Sequence, residues 1–403
     1  MILALILLIF LLWVSLDSFK KNEFMLFMFS IFTVFYLLIR IILLLSENYN
    51  QFAILNSTIN TFSKQSIIYL LIYILITYSL VYVLYKKVFM KYKLVEVKSK
   101  KHNFGLEKII IGFLSIALIF IVPIYGLPYL TYLFIYYYLK KNKFNFSIII
   151  ALIFLVLFFT TSIDRRDWLF LMLSIVFMIY SQINNKKILS VILTGIIGLI
   201  ILSYLLVAFR TDGLFNYKEV YGRLTETKLP IAIFEMEGDF PIVTDDVIII
   251  FDSLLTTDKV EYLYGSTFFK PFYSFIPREI WADKPESISR VFSRIFNNYK
   301  YLGGGSEPLT IYGELFWNFS YLSIVFFGIF SFIIAYIDST IKEAIKNKNA
   351  DKLALFIVYV ALSFHLLRGP IDNFWIAFFV LYILIIIEKN LQTILYNISR
   401  TNK

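Results

Sequence analysis

Glu314 is the residue of this chain whose type and position most favour chemistry. It lies in the largely apolar run LTIYGELFWNFSYL, and helical spacing places Asn318 one turn further along the same face. Pro308 is expected in the first turn of this helix. A carboxylate inside an apolar span is a functional candidate by default, because burying it is costly. Glu314 is therefore a candidate general base, and a salt bridge that only fixes packing is the alternative.

His365 and Arg368 form a second polar pair, three residues apart and hence on one helix face. In the run SFHLLRGPIDNF, Gly369 is expected to end one helix and Pro370 to begin the next. A lone histidine near a helix end more often forms a hydrogen bond than catalyses a reaction. Because an arginine and an aspartate accompany it, we keep His365 as a further catalytic candidate.

Arginines stand beside the expected ends of helices at four places in the chain. Helix N-termini carry free N–H groups and the positive end of the dipole, and guanidinium groups add paired donors, so this combination suits a phosphate. The alternative is that these side chains contact lipid phosphates. The candidate substrate-binding residues are Arg165, Arg166, Arg210, Arg278, Lys284, Asn318 and Arg368.

No metal-binding or nucleotide-binding motif accompanies these groups. The chain has no cysteine, and the patterns GxxxxGK[ST], GxGxxG, HExxH and GxSxG do not occur. Asp245, Asp246 and Asp252 lack metal-ligand spacing, so we interpret them as solvated helix caps in preference to a cation site. For Arg40, which lies in an apolar run, we expect a structural partner. We expect no metal and no other cofactor.

The elements that position these residues must be membrane helices. Hydrophobic residues make up 59% of the 403 residues and charged residues only 16%, a surface that no soluble globule of this size can bury. The opening run MILALILLIFLLWVSL has no basic region and no cleavage site, so we expect it to remain as the first span. Apolar runs predict about 11 spans, near 1–16, 24–45, 66–85, 109–123, 126–139, 146–162, 167–181, 188–207, 309–335, 353–367 and 372–387.

The stretch 109–139 is expected to form a tight hairpin. Lysines flank it at both ends, and Pro123, Gly126 and Pro128 interrupt it in the middle. A single helix of that length would be about 46 Å long at 1.5 Å per residue, far more than the bilayer core.

The distribution of lysine and arginine predicts the orientation. One set of alternate connections holds 22 of them, whereas the short connections of the opposite set hold 4. By the positive-inside rule the N-terminus lies outside and the C-terminus in the cytoplasm. The net charge of +10 then reflects topology, so we expect no nucleic-acid partner. The predicted domains are an N-terminal bundle of about eight helices (1–207), a large external loop (208–308), and about three helices with a cytoplasmic tail (309–403).

The external loop is too long to be a simple connection. Its runs FNYKEVYGRL, DFPIVTDDVIIIFDSLL and ESISRVFSRIFNNY have helical spacing with apolar faces. We expect them to form short helices that lie on the membrane surface or cap the bundle. The fold class is thus an all-α polytopic membrane protein with one large external loop containing short helices.

This arrangement resembles the Wzy family of O-antigen and capsule repeat-unit polymerases, and its build is similar to that of O-antigen ligases and other GT-C-like membrane proteins. The resemblance covers roughly residues 150–375. It rests on an arginine pair in a short external turn, on PREIWADKP, on the run GGGSEPLTIYGELFWN, and on Arg368 followed by Gly369.

The resemblance implies a metal-independent glycosyltransferase of the bacterial plasma (inner) membrane, with its active site on the periplasmic or external face. Its substrates would be undecaprenyl-diphosphate-linked oligosaccharides, and its partners would be membrane lipids and a chain-length regulator protein. Family arginines correspond to Arg165 or Arg166, Arg210, Arg278 and Arg368. The product would be O-antigen of lipopolysaccharide, capsule or exopolysaccharide, which the sequence does not distinguish.

Two other functions remain as alternatives. An O-antigen ligase would use the same donor, and its spans and loop do not differ from those of a polymerase. A polysaccharide flippase or transporter is the alternative that is not an enzyme. It is less favoured, because no inverted repeat is visible and the polar residues gather at the outer edge of the spans instead of the centre.

Overall fold

The computed structural model describes residues 1–46, 63–89, 106–121, 123–140, 165–182, 239–274 and 276–401. Over these ranges the regular secondary structure is entirely helical. The helices are α1 Ile2–Lys20, α2 Phe24–Leu45, α3 Lys64–Phe89, α4 Leu106–Ile121, α5 Pro123–Leu139, α6 Arg165–Gln182, α7 Asp239–Leu255, α8 Lys270–Tyr273, α9 Ile288–Phe296, α10 Asn298–Leu302, α11 Ile311–Phe319, α12 Ser323–Lys346, α13 Ala350–Arg368 and α14 Ile371–Thr401. A π-helical turn, Val34–Leu38, interrupts α2, and a 3₁₀ turn, Ser320–Leu322, joins α11 to α12.

Within the described ranges, six helical segments are long and apolar enough to cross a membrane. They are Ile2–Lys20, Phe24–Leu45, Lys64–Lys87, Ile311–Lys346, Ala350–Arg368 and Ile371–Leu395. Each of them contains most or all of one predicted span, because an uninterrupted apolar run of this length is the local signal for a spanning helix. The predicted spans 146–162 and 188–207 lie outside the described residues, so the count of eleven stays a prediction.

The predicted hairpin at 109–139 is confirmed by the packing of α4 against α5. A Cβ atom added at Gly126 would lie 1.9 Å from the backbone oxygen of Ser115, and one added at Gly112 would lie 3.1 Å from the side chain of Leu133. The first contact joins the middle of α4 to the start of α5 and the second joins the first half of α4 to the second half of α5, as in an antiparallel hairpin. Gly126 and Pro128, however, lie inside α5 and not at the break. Gly126 is needed for the close approach of the two helices.

The chain forms two compact units. The first comprises Met1–Lys91, Asn185–Ala335 and His365–Asp372, and the second comprises Tyr92–Asn184, Tyr336–Phe364 and Asn373–Lys403. The second unit contains a buried ionic network around Lys108, whose ammonium group contacts Glu388 and donates to the Tyr132 hydroxyl at 2.7 Å. Tyr129 donates to the other oxygen of Glu388 at 2.7 Å, and Tyr132 donates to Asp351.

Helix α7 forms part of the core of the first unit, where it packs against α2, α3 and α11. Its Phe251 stacks on Phe316 of α11 with ring centroids 4.0 Å apart. The sequence predicts a helix here, which is confirmed. It also predicts a helix on the membrane surface or at the end of the bundle, whereas nearly every residue from Val243 to Leu254 is buried.

Asp245, Asp246 and Asp252 of α7 are buried, so their prediction as solvated caps is wrong. Asp245 accepts two hydrogen bonds from Arg40, from Nε at 3.1 Å and from Nη2 at 3.0 Å, which confirms the structural partner expected for that arginine. Asp252 accepts a hydrogen bond from Ser66 at 2.6 Å. The partners on α2 and α3 provide the donors that water would otherwise supply.

Two further helices of the predicted loop agree with expectation. The run ESISRVFSRIFNNY forms α9 and α10, which meet at Asn297. The side chain of Asn297 caps α10 by accepting a hydrogen bond from the backbone N–H of Lys300 at 3.2 Å. The run FNYKEVYGRL lies outside the described residues. The external location of 208–308 stays a prediction.

Candidate functional site

Glu314 lies in the first turns of α11. The helix begins after Thr310, whose hydroxyl accepts a hydrogen bond from the backbone N–H of Gly313 at 3.5 Å. Pro308 therefore precedes the helix, and its predicted place in the first turn is wrong. Threonine supplies a side-chain acceptor for the free N–H groups at a helix start, which proline cannot do. Glu314 is only 1% exposed, and its Oε2 accepts a hydrogen bond from the backbone N–H of Ile371 at 2.9 Å.

The turn after α13 brings this N–H group to Glu314. Gly369 ends α13, as predicted, and donates its N–H to the carbonyl of His365 at 3.0 Å. It has φ +83°, a conformation that glycine adopts without a steric penalty. A Cβ atom at this position would stand 1.7 Å from the carbonyl oxygen of Leu309. The turn thus lies directly against the chain that leads into α11. Helix α14 begins at Ile371, so Pro370, which is expected to begin it, lies one residue before its start.

A third segment, around α8, completes the site. Lys270 forms an ion pair with Asp372, which follows Ile371 on α14. Thr267 and Asn318 form a hydrogen-bonded pair, with Asn318 Nδ2 2.9 Å from Thr267 Oγ1. Asn318 Nδ2 also donates to the backbone carbonyl of Glu314 at 2.9 Å, so the predicted shared face is confirmed. Three segments that are far apart in sequence therefore meet around Glu314.

The charges of the Lys270–Asp372 ion pair act on Glu314. Among the residues that the structure describes, Glu314 forms no salt bridge, and its side chain has one hydrogen bond, the one from Ile371. The alternative interpretation of Glu314 is a salt bridge that only fixes packing. The described part of the chain contains no such salt bridge. A buried carboxylate that accepts one backbone hydrogen bond retains an oxygen with which it can bind a hydroxyl group.

His365 and Arg368 lie in the last turn of α13, in the same unit as Glu314. They are 4% and 6% exposed, and their helical positions place them on one face, as predicted. The turn at Gly369 connects this face directly to the segment that contacts Glu314. The catalytic role of His365 and the binding role of Arg368 stay predictions.

Arg278 and Lys284 both close the loop between α8 and α9. The ammonium group of Lys284 donates to the carbonyls of Ser274, at 3.1 Å, and Ile276, at 2.7 Å. Arg278 Nη1 donates to the carbonyl of Ala282 at 3.2 Å, and the side chain is otherwise exposed. Most of the N–H donors of this guanidinium group thus remain accessible to a ligand. Lys284 is mainly engaged with the backbone of the loop itself.

The remaining arginines lie elsewhere. Helix α6 begins at Arg165, the position that the sequence predicts for the start of a span. Arg165 and Arg166 belong to the second unit, so their approach to Glu314 stays a prediction. Arg210 lies outside the described residues, and its role stays a prediction as well.

Sequence reasoning missed Lys270 and Thr267. Lys270 offered a signal, because it is a lone charge within the aromatic run TFFKPFYSF. A cation in such surroundings needs a partner. Thr267 offered none, since a threonine beside aromatic residues is common in any helical protein.

In comparisons with known proteins, only part of this chain is similar to the proteins that match it. No protein-family model and no solved structure matches the chain. Part of the chain is similar to the O-antigen polymerases of Salmonella typhimurium and Salmonella typhi, with 27% identity over 116 residues in each case. The match covers 27% of this chain and 28% of each relative, so the similarity spans less than a third of either length.

Proposed function

We propose that the chain is a membrane glycosyltransferase that polymerises oligosaccharide repeat units carried on undecaprenyl diphosphate. The observation that carries the reaction class is the partial identity with two O-antigen polymerases. Both relatives are named polymerases and not ligases, which favours polymerisation. The helical build with its six candidate spans supports a membrane enzyme, which meets its lipid-linked substrates in the bilayer.

The proposed reaction needs a base and a cationic site. The bond between the anomeric carbon of the donor glycan and a diphosphate oxygen breaks, and its electron pair stays on the diphosphate. A new bond forms between that carbon and a hydroxyl oxygen of the acceptor repeat unit. The proton of the hydroxyl passes to a base, and undecaprenyl diphosphate leaves.

Glu314 is the proposed base. Its position is fixed by the hydrogen bond from Ile371 and by the close approach of the turn at Gly369. Proton transfer to a positioned side chain contributes about 100-fold to 10,000-fold to a rate. Asn318 holds α11 against Thr267 and would contact the glycan beside Glu314. His365, one turn before Gly369, is the second candidate for proton transfer.

Arginines are the proposed diphosphate ligands. Arg278 has exposed N–H donors, and Arg368 lies in the same unit as Glu314. A well-placed donor to the charge that develops on a leaving group contributes about 3–4 kcal/mol. Arg165 or Arg166, together with Arg210, would complete the site, and Lys284 would shape the loop that carries Arg278. The site would face the external side of the plasma membrane, with a chain-length regulator as partner.

The proposal is tested by exchanging the chromosomal copy in the source bacterium for Glu314→Gln or Arg278→Ala. The length distribution of surface polysaccharide is then measured on gels. Both variants should be present in the membrane at the wild-type level, and both should leave single repeat units without long chains.

Arg294→Ala is the matched control for Arg278→Ala. Arg294 lies on α9, the helix that follows the loop of Arg278. Its side chain is 53% exposed and forms an ion pair with Glu286. This control should give chains of normal length. Polysaccharide of normal length in Glu314→Gln, at normal protein level, would rule out Glu314 as the base. Normal length in every variant would remove the proposed function.

A further inference from the structure

Asp246 differs from the other buried carboxylates of α7. It is 0% exposed, and neither of its carboxylate oxygens accepts a hydrogen bond from any residue that the structure describes. Its neighbour Asp245 is equally buried but is held by Arg40 through two hydrogen bonds. An ionised carboxylate that is buried without donors is strongly disfavoured, because no group replaces the water that solvated it. A proton removes that charge.

A second carboxylate lies within electrostatic reach of Asp246. Glu307 is 3% exposed, and its Oε1 accepts hydrogen bonds from Asn297 at 2.9 Å and from Lys300 at 3.2 Å. Its Oε2, like the hydroxyl of Ser289 beside it, has no hydrogen-bond partner in the described part of the chain. Lys300 forms an ion pair with Glu307, whereas Asp246 forms no ion pair with any residue of the described ranges.

We propose that Asp246 is a buried proton-binding site, whose carboxyl group carries a proton in the folded protein and so does not neutralise the charge of Arg368. The second half rests on the proposed function, in which Arg368 binds a diphosphate. Arg368 is the weakest of the four charges that act on the Asp246 carboxyl, and a negative charge on Asp246 would act on Arg368 in return. The bound proton removes that competing charge.

The charges around Asp246 support this assignment. Burial raises the pKa of the Asp246 carboxyl well above its ordinary value, and the negative charges of Glu307 and Asp245 act in the same direction. The positive charges of Lys300 and Arg368 act against them. Arg40 forms an ion pair with Asp245, the residue before Asp246. Helix α7 is not among the six candidate spans.

Infrared spectroscopy of the purified protein in lipid tests the protonation directly. A protonated carboxyl group has its own C=O stretching band, which shifts in heavy water. The wild type should show a band that is lost in Asp246→Asn and retained in Asp252→Asn. Both variants remove a buried aspartate of α7, but only Asp252 accepts a hydrogen bond from a described residue, so their difference reports the proton on Asp246. A difference spectrum between the wild type and Asp246→Asn that contains no such band would overturn the proposal.

Stability supplies a second measurement. Asparagine has the shape of a neutral aspartic acid, so Asp246→Asn should leave the midpoint of thermal unfolding close to that of the wild type. Asp245→Asn should lower it, because Arg40 is left without its carboxylate. Asp246→Ala serves as a second variant without the carboxyl group. If neither variant of Asp246 folds, the carboxylate is required as an anion and the proposal is wrong.

A bound cation is the competing explanation. If Asp246 held sodium in place of a proton, the unfolding midpoint of the wild type would rise when choline chloride is replaced by sodium chloride, and Asp246→Asn would lose that rise. This result would overturn the proposal. The absence of any such dependence supports it.

The part that concerns Arg368 is tested with inorganic pyrophosphate. Wild type and Asp246→Asn should bind it with the same affinity, since both are neutral at position 246. Clearly tighter binding by Asp246→Asn would show that the native carboxylate is charged. If the wild type does not bind pyrophosphate, the role of Arg368 fails, while the infrared band still decides whether Asp246 holds a proton.

Discussion

Gly369 controls the position of the donor that holds Glu314. In Gly369→Ala, the new Cβ atom would lie 1.7 Å from the carbonyl oxygen of Leu309, whereas ordinary contacts begin near 3.4 Å. The turn and the start of α11 must therefore separate by about 1.7 Å, since neither backbone can rotate out of the way. The hydrogen bond from Ile371 to Glu314, now 2.9 Å, would then exceed the distance at which it exists.

The expected losses follow from these distances. An L-residue at φ +83° costs about 1–2 kcal/mol, and losing a hydrogen bond to a buried carboxylate costs about 1.5–3 kcal/mol. Gly369→Ala should thus lower the free energy of unfolding by roughly 2.5–5 kcal/mol. A catalytic group displaced by about 1 Å can lose about 100-fold in rate. Unfolding in detergent and the length of the polysaccharide chains measure the two effects.

Substitutions at two other glycines measure separately the backbone strain of a positive φ and the steric contact of an added Cβ atom. Gly304 has φ +77° but nothing within 4 Å of an added Cβ, so Gly304→Ala should show the backbone cost alone and keep activity. Gly303 has φ −71° and no contact closer than 3.6 Å, so Gly303→Ala should change neither property. If Gly369→Ala resembles Gly304→Ala in stability and activity, the close approach to Leu309 does not position Glu314.

Two further predictions concern buried ion pairs. Asp245→Asn should lower the free energy of unfolding by about 3–5 kcal/mol, because Arg40 stays buried without its partner. Asp17→Asn, in the exposed pair with Lys21, is the control and should lower it by less than about 1 kcal/mol. Equal losses in the two variants would contradict this prediction. Lys108→Met should also lower the free energy of unfolding by about 3–5 kcal/mol, because Glu388 loses its cation. The double variant Lys108→Met with Glu388→Gln should recover part of this loss. Purely additive effects of the two substitutions would show that the two side chains do not interact.

The sequence predicts the elements because their signals are local. The six candidate spans of the described ranges follow from uninterrupted apolar runs, the hairpin from the lysines at its two ends and Pro123 at its break, and the end of α13 from Gly369. Glu314 is also identified locally, since a carboxylate in an apolar run stands out whatever it contacts. For the same reason the sequence cannot show that its partner is a backbone N–H group 57 residues away.

The partners of charged residues could not be predicted. Arg40 and Asp245 are 205 residues apart, and Lys270 and Asp372 are 102 residues apart. Such pairings depend on which helices pack together, and no periodicity within a segment encodes that. The aspartates of α7 are wrongly predicted to be solvated, because Asp245 and Asp252 accept hydrogen bonds from other helices and Asp246 is buried without a donor among the described residues. The surroundings of α7 decide its burial.

The proposed function is tested most directly by the rate at which the purified protein extends glycan chains in liposomes. The liposomes contain lipid-linked repeat units from the source organism. The wild type should extend chains without any nucleotide sugar, and Glu314→Gln should be slower by about 100-fold or more while it still binds pyrophosphate. An equal rate in Glu314→Gln, or no extension by the wild type, would contradict this prediction.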